Sequence, residues 1–494
     1  MSEHAIGDSL GIEVVEQIAL GRAAAVLSPA ARARMEASAT AFAASGSVDV
    51  LRDKWEWLVG GEAPTASGEA ARLFVLGHCA GVGPPLPAEE VRALIVTRAH
   101  ALARGWSGVR PALVGRLLEL LRDDVVPVVP SIGDVGTAGS IQLAHVARVA
   151  LGYGGPVLDG TSALPPFEPT EKEALSLLNG SSYTTALAAL AVARAERVLR
   201  AAEVAAALSF EVVRADKRCL SPGAAAARGH RGIEEATARL RDLVEGSELV
   251  TPQRSPDSFS VRCAPAVLGA ARDAVRQVRA VVQGELDAPS DNPLVLEDEG
   301  VVETGAFHAA PVALAMDHLK IAMTQVASIA ERRVFRLTYG RLSGLPSFLV
   351  PGSGVNSGLM LAQYTAASVL AEMKAMCMPA SIDSIPTVQH QEDHASMGPV
   401  AARSALAVID RVADVVGIEL LCAAQGLDFR IAGRAVGPDG QLGAVEPQQP
   451  GRLTRRAWEK VRERVARWDD DQVLHPDLVK VGELVRAGAF DEIR

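Results

Sequence analysis

The chain has 494 residues, is 49% hydrophobic but only 4% aromatic, and carries a formal net charge of −10. That length accommodates two or three domains, or one long-helix body with appendages. The acidic balance argues against nucleic acid or an anionic membrane surface as the main partner, and charge interrupts every apolar run before it reaches membrane-spanning length.

The N-terminus, "MSEHAIGDSLGIEVV", lacks the basic and apolar regions of a signal peptide. Residues 1–180 alternate shorter helices with Gly/Pro loops and read as an N-terminal domain. Inside it, "VPSIGDVGTAGSIQLAHVA" (129–147) feeds a glycine-rich loop, with Gly133, Gly136 and Gly139, directly into an apolar helix. Such a loop implies close backbone packing or a backbone that itself performs chemistry. "GGPVLDGTSALPPFEPTEKE" (154–173) is a clear loop. Residues 181–430 form the second domain, where long helical periodicity predicts helices over 184–210, 311–337, 357–376 and 399–427. Alanine is the best helix former and β-branched runs are scarce, so these helices are expected to pack as a bundle. Their wide apolar faces point to association between chains. After residue 430 a loop, "GPDGQLGAVEPQQPG", leads to a charged helical tail over 431–494. The fold class expected is all-α: a long-helix bundle core with a smaller N-terminal domain of loops and helices. The five cysteines, Cys79, Cys219, Cys263, Cys377 and Cys422, have no metal-type spacing. They fit reduced thiols, and hence a cytoplasmic protein.

Polar islands separate the bundle segments. "LLNGSSYTTALA" contributes Asn179, "RSPDSFSVRC" Arg254, Asp257 and Arg262, and "SDNPLV" with "GAFHAAP" Asn292, Phe307 and His308. "GSGVNSGLM" adds Asn356, and "HQEDHASMG" adds Glu392 and His394. Burying such groups is unfavourable unless they are paired or used. Each alone reads as a cap or a satisfied core group; together, at the ends of long helices, they favour a site. "HQEDH" sets His390 and His394 four apart, on one helical face as in a zinc pair. The acid is misplaced relative to HExxH and no third ligand is evident, so no metal is expected. "GSGVNSG" lacks the βαβ surroundings of a phosphate loop, and no Ser/His/Asp order supports a hydrolase triad.

In this order the islands resemble the aromatic amino acid ammonia-lyase family, which includes histidine, phenylalanine and tyrosine ammonia-lyases. "HCAGVG", "SGVR", "NGSSYTTALA", "FSVRC", "SDNPLV", "FHAAPVALAMDHL", "GLPSFLV", "NSGLMLAQYTAA" and "QEDHASMG" carry the resemblance, from about residue 10 to the C-terminus. It implies an almost all-α fold and a homotetramer whose sites draw residues from three chains. The family's loop holds Ala-Ser-Gly or Thr-Ser-Gly, which becomes the electrophile methylidene-imidazolone (MIO) as the serine loses water. Here the three residues are Thr137, Ala138 and Gly139. Alanine has no hydroxyl to eliminate, so no MIO, and no other cofactor, is expected. The family tyrosine of "YGxxTGFG" has no counterpart in "VLRDKWEWLVGGEAP" (50–64), and that of "QDxYSxRC" is replaced by Phe259. The chain is identified as a divergent, MIO-less member.

The substrate-holding residues persist. The resemblance assigns Arg262 to clamp the substrate carboxylate, which suits a planar guanidinium fork; a buried ion pair with Asp257 or Glu285 is the alternative. It places Asn179 on the head group, His78, Phe307 and Glu392 along the side-chain pocket, and Asn356 close to the carboxylate. Without an electrophile, elimination is expected from a substrate that already bears a good leaving group, such as a trimethylammonium. Ergothionase-like enzymes of the superfamily, which act on a histidine betaine without MIO, are the precedent. Lys374, if buried, would give up its proton readily and act as an acid or base; a surface lysine is the alternative. Trp55 and Trp57 offer cation–π faces to a quaternary ammonium. The base is then His78, Glu392 or Lys374. The expected function is MIO-independent elimination of an amine from, or its addition to, a histidine-like or aromatic amino acid or its betaine. The alternatives are isomerisation or cyclisation of an amino acid-like substrate, or ligand binding without catalysis.

Overall fold

A computed structural model of the protein describes residues 2–46, 67–161, 164–251, 257–437 and 441–493. Trp55, Trp57, Arg254 and the 50–64 segment lie outside them. The principal helices are α1 (Ser67–Gly77), α2 (Ala88–Ala103), α3 (Ile141–Ala150), α4 (Glu171–Leu178), α5 (Ser182–Val212), α6 (Ala264–Leu286), α7 (Ala310–Thr338), α8 (Met360–Met376) and α9 (Gly398–Ile431). Strands occur among the described residues only as two-stranded pairs. The first is parallel, Ser2 opposite Ala23 through Ile6 opposite Leu27. The all-α expectation therefore holds, and α5, α7, α8 and α9 coincide with the periodic segments to within four residues at each end.

Local chemistry explains where these helices start and stop. The α4 N-terminus is a capping box: Thr170 accepts from the Glu173 amide while the Glu173 carboxylate accepts from the Thr170 amide, which satisfies two donors that helix geometry leaves orphaned. Beyond the α5 C-terminus, Arg214 turns left-handed (φ 56°), and Gly433 (φ 63°) does the same after α9. Both α5 and α9 are apolar almost all round, and accordingly their residues are buried nearly throughout.

Contacts divide the chain into two compact units. Unit 1 comprises Met1–Ala193, Val278–Asp317 and Pro379–Leu406; unit 2 comprises Arg194–Gln277, His318–Met378 and Ala407–Arg494. Sequence character suggested consecutive pieces divided at 180 and 430, whereas contacts group discontinuous stretches. Within unit 2, Arg333 of α7 and Glu419 of α9 form a buried two-pronged ion pair (2.5 and 2.8 Å), and the Ser209 hydroxyl of α5 donates to the same carboxylate (2.6 Å). The tail helices Arg452–Arg462 and His475–Arg486 each bury one face, through Leu453, Ala457 and Val461 and through Val481 and Val485. Among the described residues no helix is long and apolar enough to cross a membrane.

Candidate active site

The glycine-rich loop lies in unit 1 and is held on three sides. Pro130–Ile132 pairs antiparallel with Val82–Pro85, so the loop begins beside the segment that follows His78. The Met397 amide donates to the Val135 carbonyl (2.8 Å) and the Ser396 hydroxyl to the Gly136 carbonyl (2.9 Å). The Ser140 amide donates to the Leu178 carbonyl (2.7 Å), and the Ser140 side chain caps α3. Gly136 and Gly139 have φ of 81° and 91°, a region that L side chains rarely adopt. A side chain at Gly136 would overlap the Ser396 hydroxyl. One at Gly139 would sit 3.0 Å from His78 Nε2. Close packing therefore accounts for these two glycines.

His78 follows α1 and lies against this loop. Its Nδ1 is 2.8 Å from the Phe74 carbonyl, and its ring packs on Phe74 with centroids 4.3 Å apart. A carbonyl only accepts, so Nδ1 donates to it, and in the neutral imidazole the lone pair is then on Nε2, on the side of Gly139. Cys79 and His145 fix the turn that follows: the thiol reaches the Ala144 carbonyl (3.5 Å), and His145 Nε2 the Ala80 carbonyl (2.8 Å).

Glu392 stands in a short turn closed by Thr387, whose amide donates to the Glu392 carbonyl (2.9 Å) and whose hydroxyl donates to its carboxylate (2.7 Å). Sequence reasoning overlooked its neighbour in charge, Asp134. Asp134 Oδ1 accepts from the Gly136 amide (2.7 Å). Burial pushes this carboxyl above the usual range and the Glu392 charge adds to the rise, while hydrogen bonds from Ser140 and Gly136 oppose it. The available signal was an acid inside a loop otherwise built of small residues.

Asn179 ends α4 in an extended conformation. Its Nδ2 donates to the Asn292 carbonyl (2.7 Å), and its buried Oδ1 has no hydrogen-bond partner among the described residues. Beneath it, Asp291 accepts from Lys172 (3.1 Å) and Ser176 (2.7 Å). Phe307 is half-buried in the turn before α7. The adjacent His308 lies with Nε2 3.3 Å from His394 Nδ1. The helical His390/His394 pair does not form, because Val388, Gln389 and His390 all have positive φ (44°, 53° and 69°). No group of three or more metal-ligating side chains occurs among the described residues.

The remaining predicted residues belong to unit 2. Arg262 is exposed, its guanidinium carbon 4.8 Å from the centroid of Phe259. Among the described residues Asp257 accepts from the Asp216 amide (2.7 Å), and Glu285 from the Ser181 hydroxyl. Asn356 donates to the Pro351 carbonyl and to Asp470 (both 3.2 Å). Lys374 lies exposed in the last turn of α8, so the burial that would have made it a ready proton donor is missing in this chain.

A family model described as aromatic amino acid lyase matches residues 63–463. The chain belongs to that family. A histidine ammonia-lyase of Anaeromyxobacter dehalogenans is 40% identical, with 98% of each chain covered. The crystal structure of histidine ammonia-lyase from Trypanosoma cruzi superposes with a TM-score of 0.87 at 33% identity, covering 100% of this chain and 95% of that one. Ergothionase from Treponema denticola gives the same TM-score at 22% identity, covering 99% of this chain and 100% of the other; that likeness shows the fold alone. In an aromatic amino acid lyase loop, MIO would arise at Thr137–Ala138–Gly139. The residues present do not fit the group, because Ala138 offers a methyl where a hydroxyl must leave.

Proposed function

We propose that the protein is a MIO-independent carbon–nitrogen lyase acting on a histidine-like or aromatic amino acid, or on its betaine. The observation that carries this reading is the loop itself: Ala138 cannot supply an electrophile, while His78 Nε2, its proton confined to Nδ1, faces the same loop. The relatives named histidine ammonia-lyase support the amino acid class and the carbon–nitrogen bond that is cut.

In the elimination, His78 Nε2 takes the β-carbon proton. The electrons of that C–H bond form the α,β double bond, and the C–N pair leaves with the amine. A trimethylammonium departs as neutral trimethylamine, so no electrophile is needed to activate it. The products are an unsaturated carboxylate, the amine and a proton held on His78. The family resemblance assigns the substrate carboxylate to Arg262, a role that a guanidinium fork suits. Asp134, whose carboxyl burial pushes above the usual range, lies within the same loop. The assembly proposed is a homotetramer, which the exposed apolar side chains Leu361 and Tyr364 of α8 support (51% and 61% exposed).

The test joins intact mass with turnover of histidine, phenylalanine, tyrosine and their betaines. The expected result is a mass without loss of water and release of a conjugated acid from at least one of these substrates. His78→Gln should lower that rate by about 10²–10⁴-fold. A dehydrated mass overturns MIO-independence. Absence of conjugated acid from every substrate overturns the lyase reading and leaves isomerisation, cyclisation or ligand binding.

A further inference from the structure

Phe259 occupies the position where the resemblance expects a proton-handling tyrosine, yet it is exposed, at 69%, and carries a charged neighbour. Its ring and the Arg262 guanidinium belong to one short helix, Phe259–Arg262, three residues apart, with the guanidinium carbon 4.8 Å from the ring centroid. Residues three apart on a helix share a face. The acids nearest in sequence or expectation are engaged elsewhere, Asp257 by the Asp216 amide and Glu285 by Ser181. Among the described residues the ring is therefore what restrains this guanidinium.

We infer that Phe259 is a positioning residue: its ring is a platform that holds Arg262 with the N–H edge of its fork open to a ligand carboxylate. The inference rests on the reading of Arg262 as the carboxylate clamp and explains how that clamp works without the lost tyrosine. A cation over an aromatic face is held by the ring quadrupole without using any N–H donor. All five guanidinium donors stay available in the plane of the group, where a carboxylate binds two at once. Loss of the hydroxyl is no handicap in this role, because the ring alone does the holding. Restricting a long, rotamer-rich side chain before the ligand arrives also lowers the entropy lost on binding.

The probe is imidazole-4-propanoate, a carboxylate with no amine to lose, compared with its primary amide by calorimetry on the full-length protein. The readout is the ratio of the two affinities, which a change in general packing would not move. Phe259→Leu should lower the carboxylate-to-amide preference about three- to fivefold, Phe259→Tyr should leave it intact, and Arg262→Ala should abolish it. A normal preference in Phe259→Leu alongside its loss in Arg262→Ala overturns the platform and keeps the clamp. Equal affinities in the wild type, or no effect of Arg262→Ala, overturn the clamp reading itself.

Discussion

His78 shows how a backbone carbonyl decides side-chain chemistry. The Phe74 carbonyl is four residues back on the same helical turn, and by accepting from Nδ1 it fixes which nitrogen has a lone pair. A sequence displays the histidine but hides the tautomer, because the carbonyl belongs to no motif. Asp134 was hidden for a related reason: burial raises its carboxyl, and the Glu392 charge that adds to the rise comes from more than two hundred residues away in the chain. The glycines were legible as unusual, and the structure supplies their cause. Gly136 packs on Ser396 with φ at 81°, so Gly136→Ala should destabilise the protein by about 1–3 kcal/mol. Thermal denaturation checks this; an unchanged melting temperature would mean that the Ser396 anchor is dispensable.

Legibility at the level of elements follows the width of the apolar face. Helices α5, α7, α8 and α9 announce themselves because apolar residues recur over six or more turns or cover most of the surface. Helix α6 was missed. Its buried side chains, Leu268, Ala271, Ala274, Val275, Val278 and Val282, keep the helical period, but Arg272, Arg276 and Arg279 between them break up the apolar run. The acids inside α5 were visible, but their partners were not. Glu211 is fully buried and accepts from the Gly451 amide (2.7 Å) and the Thr454 hydroxyl (2.8 Å), so an acid of α5 caps the helix Arg452–Arg462. Burial pushes its carboxyl up to about 7, against the pull of the Gly451 and Thr454 hydrogen bonds. Between pH 4.5 and 7 the folded protein thus keeps a proton that the unfolded chain has released. Stability falls as pH rises through that window, by about 3 kcal/mol, and is level above it. Glu211→Gln should remove this loss, so the gain of the variant over the wild type should be larger at pH 8 than at pH 5. Denaturant midpoints at the two pH values check it, and an identical pH dependence in both proteins would mean that the carboxylate stays ionised when folded.

For the molecule as a whole, the bundle was readable from alanine content and helical period, but the grouping of its pieces was not. Contacts gather three separate stretches into each unit, and the division after Asp317 falls inside the continuous helix α7, where no loop marks it. The exposed apolar side chains of α8 bring a prediction at this scale. Light scattering should return about four times the 51.6 kDa chain mass at micromolar concentration, and Leu361→Asp should shift it downward, because a buried unpaired carboxylate in an interface is strongly unfavourable. A wild-type mass of a single chain would overturn the tetramer. The discontinuity of the units also constrains how the protein is born. Unit 1 begins at the N-terminus but needs residues up to Leu406, and unit 2 needs the tail to Arg494. At 5–20 residues per second, the ribosome takes roughly ten to forty seconds to travel from residue 193 to residue 406. Throughout that interval the alanine-rich N-terminal half of α5 waits without its later neighbours. The nascent chain therefore presents an apolar helix to solvent or to a chaperone before either unit can close.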